Sequence, residues 1–206
     1  MMMVGRWRMA VVAALFVLMG AGAAPEMVDN PVYTSWARQK VGTRVVRREV
    51  LEQKTASATQ PSTAVRQVTQ VLQSVSPAVV TLQESSRITW TNGKVMESAG
   101  PVTEPAKVKK GTEGLSKFVA EPKLTNLQTA PDTLEVQGKR YAIQHREMDF
   151  QMSEFSDAVS GHLILWTSAD FPGWVLKSEM RATMQNNGQK AVESLTTSIA
   201  EEIPEK

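Results

Sequence analysis

Few residues in this 206-residue chain have types and spacings that could do chemistry. His145 and His162 are the only histidines, and there is no cysteine. Neither histidine has a second one at the short spacings that clasp zinc from one strand or helix. The expectation is therefore no metal and no cofactor. Glu147 and Asp149 stand two apart on a predicted strand and so share a face. Such a pair could suit the acid and base of sugar hydrolysis. The competing reading is a solvated strand face close to Glu154 and Asp157. It is preferred, because a chain with 21% charged residues produces such pairs freely. No G-x-S-x-G or G-x-x-x-x-G-K-[ST] segment occurs, and Ser116-Lys117 is adjacent rather than spaced as S-x-x-K. These absences point to a non-catalytic protein.

A second group could bind rather than react. From Trp174 onward, alternate positions read Trp174, Leu176, Ser178, Met180, Ala182 and Met184, while the intervening ones are mostly polar. This is the period of a strand with one wet face. Methionine side chains adapt to varied apolar partners. Trp174, Leu176, Met180 and Met184 are thus candidate ligand-binding residues, lining an apolar groove for acyl chains. On the other reading, the same face packs on a closed core.

The elements that must position these residues are mostly strands. Asn187-Gly188 predicts a two-residue hairpin loop. That loop would pair Met184 with Ala191, Met180 with Leu195 and Leu176 with Ile199. Gln137-Gly138 predicts a hairpin pairing Leu134 with Tyr141 and Glu135 with Arg140. Asn92-Gly93 predicts another, pairing Trp90 with Val95 and Thr91 with Lys94. Further strands are read over 44–54, 63–75, 78–91 and 163–167. Near the start, Asn30 is a good helix N-cap, Pro31 suits the first turn and Gly42 follows the end. Val32, Tyr33, Trp36 and Ala37 would share one face of that helix. Pro101, Pro105, Pro122 and Pro131 punctuate 99–131, which reads as a partly irregular crossover with a helical turn around Leu115 and Phe118. The fold class is mainly β: a single curved, half-barrel-like antiparallel sheet of roughly seven to nine strands with a short N-terminal helix.

Residues 1–23 have the three parts of a secretory signal peptide. Arg6 and Arg8 give a positive start, Met9–Met19 is apolar and uncharged, and Ala21-Gly22-Ala23 offers the small residues of a cleavage site. The apolar run falls short of the about 20 residues that cross a bilayer. Residues 24–206 then form one domain. Without the leader, Lys and Arg fall from 23 to 21 against 21 acidic residues, so the surface is balanced. Balance argues against nucleic acid as a partner. No cysteine stands near the cut to carry a lipid anchor, and no N-x-S/T acceptor occurs.

The stretch Leu165-Trp166-Thr167-Ser168-Ala169-Asp170-Phe171-Pro172-Gly173-Trp174-Val175-Leu176-Lys177 resembles a W-T-S-x-x-x-P-G-x-V-x-K segment of small exported bacterial proteins. The N-P-x-Y-x-x-W-A segment at Asn30, Pro31, Tyr33, Trp36 and Ala37 is similar to theirs. So is the V-x-G-K-x-Y hairpin at Val136–Tyr141. More distantly, the pattern is similar to lipoprotein-carrier half barrels. That resemblance implies a curved sheet around a helix, with acyl chains on the concave face. Trp174 departs from the pattern, which has a second glycine there.

The function read from these features is that of an exported, non-catalytic envelope protein, periplasmic or extracellular. It would bind lipid or lipoprotein acyl chains in an apolar groove. The alternative is a structural or protein-binding β module with no ligand, its partner another envelope protein.

Overall fold

The computed structural model describes residues 25–113, 122–154, 157–186 and 189–202. The leader, the Asn187-Gly188 turn and the turn expected around Leu115 and Phe118 lie outside the described residues. In chain order the elements are β1 (Met27–Asp29), α1 (Pro31–Ala37), β2 (Arg44–Thr55), β3 (Ser62–Val75), β4 (Val79–Trp90) and β5 (Val95–Pro105). There follow β6 (Lys107–Lys109), β7 (Lys123–Val136), β8 (Lys139–Glu154), β9 (Asp157–Thr167), β10 (Val175–Asn186) and β11 (Gln189–Glu202). Nine strands form one antiparallel sheet in the order β5-β4-β3-β2-β11-β10-β9-β8-β7, and β1 pairs with β6 in a small second sheet. The large sheet is open, with β5 and β7 as its edges.

Both edges come from the stretch read as an irregular crossover. That reading is corrected here: most of the described part of 99–131 is strand. The prolines that suggested a break sit where a sheet tolerates them. Pro101 and Pro105 lie on β5 and Pro131 on β7, where no neighbour on the outer side needs their missing N–H.

The local chemistry explains the turns. At Gln137-Gly138 both residues have positive φ, 51° and 75°. Leu134 pairs with Tyr141 and Glu135 with Arg140, as the sequence predicts. The Asn92-Gly93 loop differs by one residue. Thr89, not Trp90, pairs with Val95. The Gly93 amide donates to the Trp90 carbonyl, and Gly93 has φ 81°. This makes a three-residue loop with a left-handed glycine.

The β10–β11 register is also corrected. Gln185 pairs with Lys190, but Met184 pairs with Val192, with a bulge between. Ala191 is the extra residue. Past it, Met180 pairs with Thr196 and Ile199 with Lys177, not with the partners a regular ladder would assign. A one-residue shift puts each β11 side chain on the face opposite to the one expected.

Helix α1 is anchored at its start and along one side. The Asn30 side chain accepts from the Val32 amide and donates to the Pro105 carbonyl. Tyr33 Oη donates to the Ser76 carbonyl at 2.7 Å. Val32 and Trp36 then pack with Val45, Leu72, Val80 and Leu82 from β2–β4, and with Tyr141, Ile143, Phe171, Trp174 and Leu176. On a flat sheet β4 and β8 would stand about 29 Å apart, six strand spacings. They share one cluster because the sheet wraps around α1 and the 168–174 turn. No described helix is long and apolar enough to cross a membrane.

Candidate functional site

Directly paired residues on neighbouring strands share a face, so the register defines rows across the sheet. One row runs Met148, Leu163, Met180, Thr196, Leu51, Ala64, Trp90. The next, nearer to α1, runs Arg146, Leu165, Ser178, Ser198, Glu49, Arg66, Ile88. Two rows farther from α1 begin Leu124, Phe150, Gly161, Ala182, Ser194 and Met152, Val159, Met184, Val192. All belong to the face that carries α1.

This inner face has two unlike walls. On β8–β10 it is mostly apolar, with Arg146 and Ser178 in the row nearer to α1. Met148, Phe150, Leu163 and Leu165 are buried, with Leu124, Met152, Val159, Met180 and Ala182 half-buried against them. Gly161 makes room for the Phe150 ring. Beyond α1 and the 168–174 turn, this wall continues as partly buried apolar side chains.

The sequence-predicted residues divide between these regions. Leu176 is fully buried and Trp174 is 9% exposed, both in the cluster around Trp36 and Phe171. Trp174 has φ 66°, a conformation that suits glycine, and its ring lies 5.2 Å from the Arg146 guanidinium carbon. Met180 packs on the Met148 cluster. Met184 is half-buried beside Val159 and Val192 in the register.

On β2–β4 the inner face carries a polar network set among apolar residues. Arg66 lies 3.2 Å from Glu49 and 3.5 Å from Glu84, and Gln70 donates to Glu84 at 2.8 Å. Arg47 is buried, with its guanidinium 5.4 Å from the centre of the Phe171 ring. Burial pushes the Arg47 pKa down to about 10, against the opposing pull of Glu49 and Glu84. Ser86 and Ser98 share a hydrogen bond of 2.9 Å. Two arginines thus face two glutamates, and the wall is close to neutral.

The outer face holds the residues with chemical potential. His162 Nδ1 is 2.8 Å from Asp149 and its Nε2 is 3.1 Å from Glu147. Each ring nitrogen thus faces one carboxylate. The hydrogen bond from His162, followed by that from Asn126, holds the Asp149 carboxyl below the usual carboxylate range. The sequence had placed Glu147 and Asp149 together but had not joined them to His162. Among the described residues no group of three or more metal-type side chains could hold an ion. His145 lies apart, stacked on Trp166 with ring centres 5.2 Å apart, and Lys177 covers the same indole.

No protein-family model matches the chain, and no curated protein matches it. Three solved structures are similar to it in outline. A candidate exported protein with a YmcC-like fold from Bacteroides fragilis has 8% identity and a TM-score of 0.42, over 88% of this chain and 100% of that one. A candidate lipoprotein from Parabacteroides distasonis has 7% identity and a TM-score of 0.40, over 81% and 96%. A DUF1329 family protein from Desulfovibrio piger has 8% identity and a TM-score of 0.18, over 83% and 91%. None of these similarities bears on the chemistry of the inner face.

The polar wall is what sequence reasoning missed. Its signal is an interrupted alternation. The inner positions of β3 read Ala64, Arg66, Val68, Gln70, Leu72, and those of β4 read Leu82, Glu84, Ser86, Ile88, Trp90. Charged residues embedded in apolar alternation mark a buried network rather than a solvated face.

Proposed function

We propose that this chain is an exported, non-catalytic envelope protein that holds an acyl chain, from lipid or lipoprotein, in a trough on its inner face. One observation carries the reading. The apolar wall of β8–β10 runs past the end plugged by α1, and Met152, Val159, Met180, Ala182 and Met184 are only partly buried there. A wall built only as core would bury these side chains fully, and an apolar face left partly open can seat an apolar ligand. The Arg6/Arg8 start, the apolar run and the Ala21-Gly22-Ala23 site support export to the envelope. Trp174 and Leu176 act as the floor at the plugged end, and Met180 and Met184 as the lining.

The burial of Trp174 and Leu176, with the polar network opposite, favours a second reading: a protein-binding module without ligand. The discriminating experiment is mass spectrometry of lipid carried by the purified exported protein, together with binding of a fluorescent fatty-acid probe. Met184→Gln separates the two. In an open trough it weakens probe binding with little loss of stability. In a closed core it costs about 1–3 kcal/mol of stability, the penalty for a buried unpaired amide.

A further inference from the structure

The polar wall holds two hydrogen-bond donors that the fold does not use. Arg66 Nε–H and Trp90 Nε1–H are buried without a hydrogen-bond partner among the described residues. Ala64 pairs with Trp90 and Arg66 with Ile88, so Arg66 and Trp90 are diagonal neighbours on one face of β3–β4. Diagonal neighbours stand roughly 7–8 Å apart, within joint reach of one acceptor group for long side chains. Buried polar groups are nearly always paired, so two orphans side by side mark a place for an acceptor from outside the chain. The row that ends at Trp90 begins at Met148 and passes through Met180. The donors and the apolar wall therefore belong to one trough.

Charge decides which acceptor fits. The Arg66 guanidinium is already held by Glu49 at 3.2 Å and Glu84 at 3.5 Å. Arg47 supplies the second cation, so the network is balanced without a ligand. A carboxylate entering here would add an anion beside Glu49 and Glu84, where partial burial strengthens repulsion. A neutral carbonyl avoids that cost and still accepts from both donors.

We propose that Arg66 and Trp90 bind the carbonyl of a neutral acyl ester, so that the trough selects esterified acyl chains over free fatty acids. This rests on the acyl-chain reading above and adds the class of head group.

The test compares monolaurin with laurate, which share one acyl chain. Each is titrated calorimetrically into the full exported protein, below micellar concentration and near neutral pH. Monolaurin should bind about tenfold tighter than laurate. Trp90→Phe keeps the ring and removes the donor. It should weaken monolaurin about five- to tenfold and leave laurate unchanged. Its melting temperature should not fall, because the variant buries one orphan donor fewer. Arg66→Lys keeps the charge, removes Nε–H, and should show the same selective loss. Equal affinity for the two ligands, or monolaurin binding untouched in both variants, overturns the donor pair while leaving the trough intact. Failure of both ligands to bind overturns the trough itself and this inference with it.

Discussion

The Phe150 ring occupies the space above Gly161 that a side chain would fill. A Cβ at position 161 would stand 2.7 Å from Phe150 Cζ and would also meet the Arg181 carbonyl. The pairing of these two residues across β8 and β9 sets how closely the apolar wall packs. Gly161→Ala should therefore destabilise the protein by about 1–3 kcal/mol, the usual cost of overpacking a filled core. Chemical denaturation checks this. An unchanged midpoint would mean that both the ring and the β10 backbone at the Arg181 carbonyl give way.

Trp174 offers a test with an unusual sign. It is a bulky residue at φ 66°, and its indole is largely buried. Both Trp174→Ala and Trp174→Gly lose the packing, at about 3–5 kcal/mol. Only glycine relieves the left-handed strain. Trp174→Gly should therefore be the more stable of the two by about 1 kcal/mol, where glycine elsewhere in a chain is the weaker choice. Equal stability of the pair would show that position 174 has relaxed out of that conformation.

How far the sequence could be read depended on the range of the signal. The strands, α1 and the Gln137-Gly138 hairpin follow from local patterns, because Asn30, Pro31 and Gly138 act on their own neighbours. Single-residue register is another matter. The bulge at Ala191 and the three-residue loop at Gly93 each shift a ladder by one, and the apolar pattern of Met180 and Met184 tolerates either register. The edge prolines were legible only as breakers, since whether a strand is an edge is a property of the whole sheet. The His162 cluster needed β8 and β9 to be laid side by side. The polar wall required seeing that Glu49, Arg66 and Glu84, far apart in the chain, fall on one face.

The acid limb of stability should depend on Asp149. Its folded pKa is lowered by hydrogen bonds from His162 and Asn126. A carboxyl held below its unfolded value of about 3.9 stabilises the fold above that pH and loses its contribution as pH falls through the lowered value. Asp149→Asn removes the titrating group. The variant should show a melting temperature that declines less steeply than the native protein below about pH 4. Because the group is exposed, the difference should be small and should shrink further in high salt. Identical acid limbs would show that the cluster is not held in solution.

The β10–β11 register determines whether the trough has a polar centre, and a cysteine-free chain makes it directly testable. Met180 pairs with Thr196 through the bulge at Ala191, which places Ser194, Thr196 and Ser198 on the inner face. Without the bulge, Met180 would face Leu195, and the inner face of β11 would be lined by Leu195 and Ile199 instead. Directly opposed residues on antiparallel strands have Cα atoms about 4.5–5.5 Å apart, within the range a disulfide spans. Met180→Cys with Thr196→Cys should therefore oxidise readily to an intramolecular disulfide. Met180→Cys with Leu195→Cys should not, since Leu195 pairs with Arg181 on the other face. Thiol titration and mass spectrometry of the two double variants give the answer. A disulfide in the second pair but not the first would restore the regular hairpin and make the trough apolar across β11. The contrast between the Met180 wall and the polar wall would then begin one strand farther along, at β2.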